Sequence, residues 1–273
     1  MHSCTVVQGD SSQVLADMAG PIHLVLTSPP YHNLKPYPDS DGQLGNVDDY
    51  GVFLERLGSI WRECFRMLVP GGRLVCVVGD VCLSRRAHGR HRVIPLHSHI
   101  TVACEEIGFD VLTPILWEKI TNATHETGNS GFFGQPYQPN AVVKNEVEYV
   151  LMFRKPGGYR KPTDEQRDLS RIPQDLFKAW LRQIWRITGA STANHPAPYP
   201  LELASRLVRM FSFHGDTVLD PFVGTGTTLV AASKHGRVGV GIDVDPDYCD
   251  MAWRAIGGSL PRPDACSTHR TEE

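Results

Sequence analysis

Two short segments carry residue types that could do chemistry. The first is Ser28-Pro29-Pro30-Tyr31. A serine hydroxyl and the following proline's carbonyl supply two hydrogen-bond acceptors, the prolines lock the turn that presents them, and the tyrosine offers an aromatic face. That set suits the handling of an exocyclic amine on a nucleic-acid base. The amine lone pair is delocalised into the ring, so acceptors must turn it toward an electrophile, and a base taken out of its helix can stack on an aromatic ring. An ordinary proline turn after a strand would read the same in the tetrapeptide alone.

The second segment is Asp220-Pro221-Phe222-Val223-Gly224-Thr225-Gly226-Thr227-Thr228. Its glycines let backbone approach a ligand, and a helix starting there favours negative charge at its N-terminus. Asp243 stands 23 residues after Asp220, about where an acid receives the ribose hydroxyls of a bound nucleoside. Position 229 is leucine, so the third glycine of a dinucleotide fingerprint is missing, and no Gly-Lys-Ser/Thr phosphate loop is present. Both facts argue against NAD and ATP. A glycine pair alone also fits a structural turn; the flanking strand, helix and Asp243 favour a nucleoside site.

Both segments need a frame. Apolar residues 4–8 end in Gly9-Asp10 and precede Ser11-Ser12 and the helical spacing Val14, Leu15, Met18: a strand, a turn and a serine-capped helix. Residues 22–26 form a strand that Pro29-Pro30 must stop, which presents the tetrad at its carboxyl end. Residues 32–47 hold two prolines and two glycines and form a long loop of the kind that covers sites. Phe53, Leu54, Leu57, Ile60, Trp61, Phe65 and Leu68 recur at three and four, an amphipathic helix that Pro70-Gly71-Gly72 ends. Residues 73–78 are a near-continuous apolar strand, suited to a sheet covered on both faces. A helix over 94–107, strands over 111–117 and 147–153, and a Gly/Asn-rich stretch over 121–140 follow. Residues 154–198 are less regular, with one helical segment around 176–187. The last third alternates clearly: helix 201–212, strand 217–222, helix 227–236, strand 237–244 and helix 247–256, then a frayed tail. Such alternation implies βαβ units and a parallel sheet.

The 273 residues are 41% hydrophobic and 21% charged, a globular composition able to bury a sizeable core. No leader-like start and no run of about 18 apolar residues is seen, so a cytoplasmic protein without a membrane partner is expected. The seven cysteines form no C-x-x-C pair and read as reduced, buried thiols. Net charge is −3, which by itself points to no polyanion. Basic residues nonetheless collect between 81 and 199. There Arg85, Arg86, Arg90 and Arg92 surround His88 and His91, and a second basic run extends from Arg154 to Arg186. Either could lie along a phosphate backbone, and either could be a solvated loop.

Thr27-Ser28-Pro29-Pro30-Tyr31 and Asp220 to Thr228 together resemble the catalytic and cofactor motifs of the S-adenosylmethionine-dependent DNA amino-methyltransferases, which modify cytosine N4 or adenine N6. Gly9-Asp10, MLVPGGRLV at 67–75, Trp117-Glu118-Lys119, EYVLMFRK at 148–155 and HPAPYPLELASRLV at 195–208 resemble further segments in that family's order. A tetrad that precedes the glycine turn resembles the circularly permuted β group. The resemblance implies a Rossmann-like class I methyltransferase of α/β class. Its mostly parallel seven-stranded sheet would carry helices on both faces, the first strand beside the last, and an inserted target-recognition region. Residues 1–119 would be the catalytic half, 120–195 the last sheet strands and recognition region, 196–256 the cofactor-binding half, and 257–273 a tail.

The implied cofactor is S-adenosyl-L-methionine. Asp220, Phe222, Gly224, Thr225, Gly226 and Thr227 would line its methionine and ribose end, with Thr27 beside them, Asp243 on the ribose and Asp10 facing the adenine. Ser28 and Pro29 would orient the amine for direct in-line displacement at the sulfonium, with no covalent enzyme intermediate, while Pro30 stiffens the turn and Tyr31 stacks. The HPAPYP segment would pack against the methionine end, although this chain has Tyr199 where some members carry lysine.

Ser-Pro-Pro-Tyr resembles the cytosine-N4 enzymes and Asp-Pro-Pro-Tyr most adenine-N6 enzymes, so the resemblance points to cytosine. Adenine stays an alternative, because either side chain accepts from an amine. Cytosine-C5 methylation needs a nucleophilic cysteine, usually after proline, and the chain has no Pro-Cys pair. His88, His91, His97 and His99 lack partners at ligand spacing, so they are expected to be solvated or phosphate-facing and no metal is expected. His125-Glu126 reads as loop; Phe132, Phe133 and Tyr137 either stack nucleotides or anchor their segment. Double-stranded DNA is the expected partner, with a homodimer and a cognate restriction endonuclease of the same site as further candidates. Three competing readings remain: methylation of RNA or a protein amide, a catalytically inactive nucleic-acid-binding module, and a nicotinamide oxidoreductase. The basic middle third disfavours a protein substrate, and the intact tetrad disfavours the inactive module.

Overall fold

The computed structural model describes residues 4–32, 40, 42–119, 143, 145–190 and 199–257. The first third comprises β1 (Thr5–Gln8), α1 (Ser11–Asp17), β2 (Ile22–Thr27), α2 (Tyr50–Met67), β3 (Leu68–Val78), β4 (Val81–Leu83), α3 (Arg85–His88) and β5 (Arg92–Ile94). The middle adds α4 (Leu96–Ile107), β6 (Asp110–Lys119), β7 (Val147–Arg154), α5 (Asp164–Leu169), α6 (Gln174–Trp180) and β8 (Ile184–Ile187). The last part holds α7 (Leu201–Phe211), β9 (Thr217–Asp220), α8 (Thr227–Lys234), β10 (Val238–Asp243) and α9 (Pro246–Ala255).

Eight strands form one sheet in the order β1-β10-β9-β2-β3-β7-β6-β8. Only β7 runs against its neighbours. Alternation in the central strands explains why both faces are covered. Leu74, Cys76 and Val78 of β3 meet Phe53, Leu57 and Trp61 of α2 in one apolar cluster. Val75 and Val77 of the same strand meet Leu203, Leu207 and Val208 of α7 in the other. As expected, the first strand lies beside the last, with Val6 opposite Gly241.

Three local expectations change. Asp10, rather than a serine, caps α1, its Oδ1 accepting from the Ser12 N–H at 2.8 Å. The strand expected over 73–78 starts at Leu68 and takes in Pro70-Gly71-Gly72, with a register shift against β2 between Ile22 and Leu24. Gly71 is at φ +76°, and a Cβ there would stand 2.1 Å from the Gly158 carbonyl oxygen, so only glycine fits that crossing.

The third change adds an eighth strand to the seven expected. The helical segment expected over 176–187 breaks after Trp180, and Ile184–Ile187 pairs with β6 instead. Trp185 and Ile187 face the core while Ile184 and Arg186 are exposed. Four residues of alternation are too few to outweigh helical spacing until the β6 edge is there to pair with.

Much of the expected cover over 32–47 lies outside the described residues. So do the 121–140 stretch with His125-Glu126, Phe132, Phe133 and Tyr137, residues 195–198, and the tail beyond 257. Among the described residues no helix is long and apolar enough to cross a membrane, and no His, Cys, Asp and Glu group is arranged to hold a metal. The six described cysteines are free.

Candidate active site

β2 and β9 are adjacent, yet the chain leaves β2 toward β3 on one side and β9 toward β10 on the other. Such a switch point opens a crevice at the carboxyl ends of the strands. Those ends carry the two motifs, because β2 stops at Thr27 and β9 at Asp220.

The motifs are joined by hydrogen bonds. The Thr27 hydroxyl donates to Asp220 Oδ1 at 2.6 Å, and the Phe222 N–H donates to the same oxygen at 3.0 Å. The Thr228 hydroxyl, from the first turn of α8, donates to Asp220 Oδ2. With that proton committed, the buried Tyr199 hydroxyl donates to the Thr228 oxygen. Burial pushes the Asp220 carboxyl up to about 6, against the pull of the Thr228 and Thr27 hydroxyls and the Phe222 N–H.

Asp243 ends β10 beside this network. Its Oδ2 accepts from the Gly224 N–H at 2.9 Å and its Oδ1 from the Asp245 N–H at 3.0 Å. Burial raises this carboxyl also to about 6, with the two N–H groups opposing. Gly226, at φ +87°, begins α8, and a Cβ there would meet the Ala252 Cα at 2.8 Å. Its lack of a side chain therefore lets α8 pack on α9.

A cavity of about 390 Å³ opens over these strand ends, a size suited to a nucleoside-type ligand. Of the expected site residues, Asp10, Ser28, Pro29, Pro30, Phe222 and Asp243 line it. Thr27 and Asp220 do not; they are buried beneath it as the hydrogen-bonded link. Gly224 stands behind Asp243 as a donor, and Gly224, Thr225, Gly226 and Thr227 are not among the lining residues. Tyr31 is 5% exposed and packs in the core, its hydroxyl accepting from the Gly79 N–H at 3.0 Å. The tetrad's ring is thus buried in the core, where a face that stacks on the base was expected.

The sequence reading missed Gln43 and Leu44 from the loop before α2, Arg56 and Ile60 on α2, and Tyr248 on α9, all in the cavity wall. Arg56 and Ile60 are one helical turn apart, a spacing that reads equally well as an ordinary helix face, so no sequence signal marked them. A second set was also missed. At the ends of β3 and β7, Asp80 Oδ1 lies 2.6 Å from His97 Nδ1, and the His97 ring stacks on Tyr149 with centroids 3.9 Å apart. His97 is therefore partnered inside the protein, where a solvated or phosphate-facing ring was expected. Lys119 pairs with Glu148 at the same edge.

A mostly parallel sheet with this crevice, and a buried acid at the end of the strand after the glycine turn, define the class I methyltransferase fold. The chain belongs to the N6/N4 amino-methyltransferase family of DNA methylases, whose model matches residues 22–254. It is 36% identical to the type II methyltransferase M.MjaI of Methanocaldococcus jannaschii over 92% of this chain and 90% of that protein. It is 34% identical to M.MthZI of Methanothermobacter thermautotrophicus over 88% and 72%. Among solved structures, it is similar to TTHA0409 of Thermus thermophilus complexed with S-adenosyl-L-methionine. That likeness has a TM-score of 0.76 and 48% identity, and covers 95% of this chain and 96% of that one. The fold is shared with the cytosine-N4-specific PvuII DNA methyltransferase at a TM-score of 0.67 and 20% identity.

Proposed function

We propose that this DNA methyltransferase transfers a methyl group from S-adenosyl-L-methionine to the exocyclic N4 of cytosine in double-stranded DNA, with the target base flipped from the helix. The observation that carries the reading is that Ser28, Pro29 and Asp243 face one cavity while Thr27 and Asp220 bind their segments together at 2.6 Å.

The residues present fit the methyl donor. Asp243 offers carboxylate oxygens to ribose hydroxyls, Phe222 and Ile60 offer apolar walls, and Asp10, Ser12 and Gln13 offer further polar groups to the same cavity. When bound, the donor supplies an electrophilic methyl on a sulfonium. Ser28 Oγ and the Pro29 carbonyl accept hydrogen bonds from the target amine and turn its lone pair toward that methyl. Pro30 holds the turn, and Tyr31, anchored to Gly79, supplies the aromatic surface behind it. Having gained the methyl, the nitrogen sheds one proton to solvent water; the Ser28 hydroxyl and the Pro29 carbonyl accept its hydrogen bonds on the way but are too weakly basic to keep it. Ser28, a neutral acceptor in place of the acid that most adenine-N6 relatives carry, supports cytosine. The tetrad-first order supports the permuted β group, and residues 120–195 hold, beside the sheet strands β7 and β8, the region we assign to target recognition. The type II names of the relatives support a role as the modification partner of a restriction endonuclease.

The test is to incubate the protein with labelled S-adenosyl-L-methionine and unmethylated duplex of mixed sequence, digest to nucleosides and weigh the labelled product. N4-methylcytosine, formed far more slowly with Ser28→Ala, supports the reading. N6-methyladenine keeps the enzyme class and overturns the base.

A further inference from the structure

The sequence holds two basic clusters that look alike on paper, and the structure separates them. In the second cluster Arg154 pairs with Asp110, Arg160 with Asp216, Arg167 with Asp164, Arg171 with Asp168 and Arg186 with Glu118. Lys155 donates to the carbonyls of Phe65, Arg66 and Leu68. Much of that run's charge is therefore met by acids and carbonyls of the same chain.

Its position is also wrong for a grip near the tetrad. β7 is antiparallel to β3, so Arg154 lies opposite Arg73 near the start of β3 while Tyr149 lies opposite Val78 at its end. Five strand residues span roughly 17 Å, which puts Arg154 and Lys155 toward the edge of the sheet away from the crevice.

The first cluster differs on both counts. Gly79, whose N–H binds the Tyr31 hydroxyl, directly follows β3, and β4 starts two residues later. β4 and β5 pair as an antiparallel hairpin, with Leu83 opposite Arg92, and the connection between them carries α3. Arg85, Arg86, Arg90 and Arg92 are all exposed. None of the four forms an ion pair with an acid among the described residues. The other basic groups at the carboxyl ends of β6 and β8, Lys119 and Arg186, are paired with Glu148 and Glu118. Asp80, the acid at the hairpin's root, is engaged with His97.

We propose that the β4–β5 hairpin is a phosphate-gripping arm that holds the sugar-phosphate backbone of the duplex whose base enters the tetrad. The inference rests on the DNA reading of the tetrad and adds the place where the backbone is held. Four exposed guanidiniums that have no acid partner among the described residues, carried by one hairpin and its connection, suit phosphate oxygens, which each can bind in bidentate fashion. Their grip is blind to sequence, so the hairpin sets affinity and register while other residues read bases.

The test is the salt dependence of duplex affinity, followed by fluorescence anisotropy with a labelled mixed-sequence duplex. Each phosphate that is no longer neutralised lowers the slope of log K against log salt by about 0.9. The quadruple variant R85Q/R86Q/R90Q/R92Q is expected to lose about 3 to 4 units of slope, so that the wild type's drop in affinity between about 50 and 200 mM salt exceeds the variant's by about 100-fold. Binding of S-adenosyl-L-methionine stays as in the wild type and reports an intact fold. R85Q/R86Q and R90Q/R92Q should each lose about half as much slope, which keeps the test open if the quadruple variant does not fold. R167Q/R171Q, on the paired run, should match the wild type. An unchanged slope in the hairpin variants, in a wild type that binds duplex, overturns the arm alone. A wild type that binds the methyl donor but has no salt-dependent affinity for duplex overturns the DNA reading and the arm with it.

Discussion

The Thr27 hydroxyl donates to Asp220 Oδ1 at 2.6 Å across a separation of 193 residues. One bond ties the residue before the tetrad to the acid that opens the glycine turn, so the two motifs act as one piece. Thr228 and Tyr199 extend the link to the first turn of α8 and to the residue before the cap of α7.

Thr27→Val keeps the shape and removes the donor, leaving a buried carboxylate with one partner fewer. The expected loss is about 1–3 kcal/mol of stability, read as a lower Tm, together with a fall in kcat as the tetrad loosens. Thr27→Ser should restore both, since it returns the hydroxyl.

The position of Asp243 makes cofactor binding sensitive to pH. Its carboxyl titrates at about 6, and only the ionised form offers both oxygens as acceptors. Affinity for S-adenosyl-L-methionine should weaken as pH falls through about 6. Asp243→Asn should bind the cofactor about tenfold or more weakly at neutral pH, since a charge-assisted bond is lost, and its affinity should be flat across that range. Calorimetric titration at pH 5 and 7.5 checks both.

Asp243 and Asp220 bear on the stability of the ligand-free protein in the opposite sense. Their folded values near 6 lie above the ordinary 3.8. The folded state therefore holds their protons more tightly than the unfolded chain. That contribution is complete below about 4 and is lost as pH rises through about 6. Asp243→Asn should thus raise Tm more at pH 7.5 than at pH 5.

Tyr31 separates two roles by substitution. Tyr31→Phe strands the buried Gly79 N–H, which costs about 1–3 kcal/mol, but keeps the ring and should keep most methyl transfer. Tyr31→Ala removes the ring, costs about 3–5 kcal/mol, and should abolish transfer while leaving bound S-adenosyl-L-methionine measurable below its lowered Tm.

Ser28 faces the cavity without carrying the fold. Ser28→Ala should leave Tm, cofactor affinity and duplex affinity unchanged and lower kcat by about 10²-fold or more, the usual cost of one oriented acceptor or donor at the reacting atoms. A loss confined to KM would assign Ser28 to binding rather than to orientation.

The sequence by itself determined the alternating strands and helices, the tetrad, the glycine turn and Asp243. These are local signals: period-two and period-three-to-four apolar spacing, prolines that stop a strand, and glycines that open a turn. The resemblance of their order to the permuted amino-methyltransferases also implied that β1 lies beside β10. Tertiary structure decided what depends on neighbours distant in the chain. Asp220 and Thr27 became a buried link because β9 lies against β2. Ile184–Ile187 became a strand because β6 offered an edge to pair with. Tyr31 went into the core because apolar neighbours took its ring and the Gly79 N–H at the next strand end met its hydroxyl. Arg56 reached the cavity only through the packing of α2 over the sheet. The two basic runs were indistinguishable in sequence for the same reason: whether a guanidinium is neutralised depends on which acid the fold brings to it.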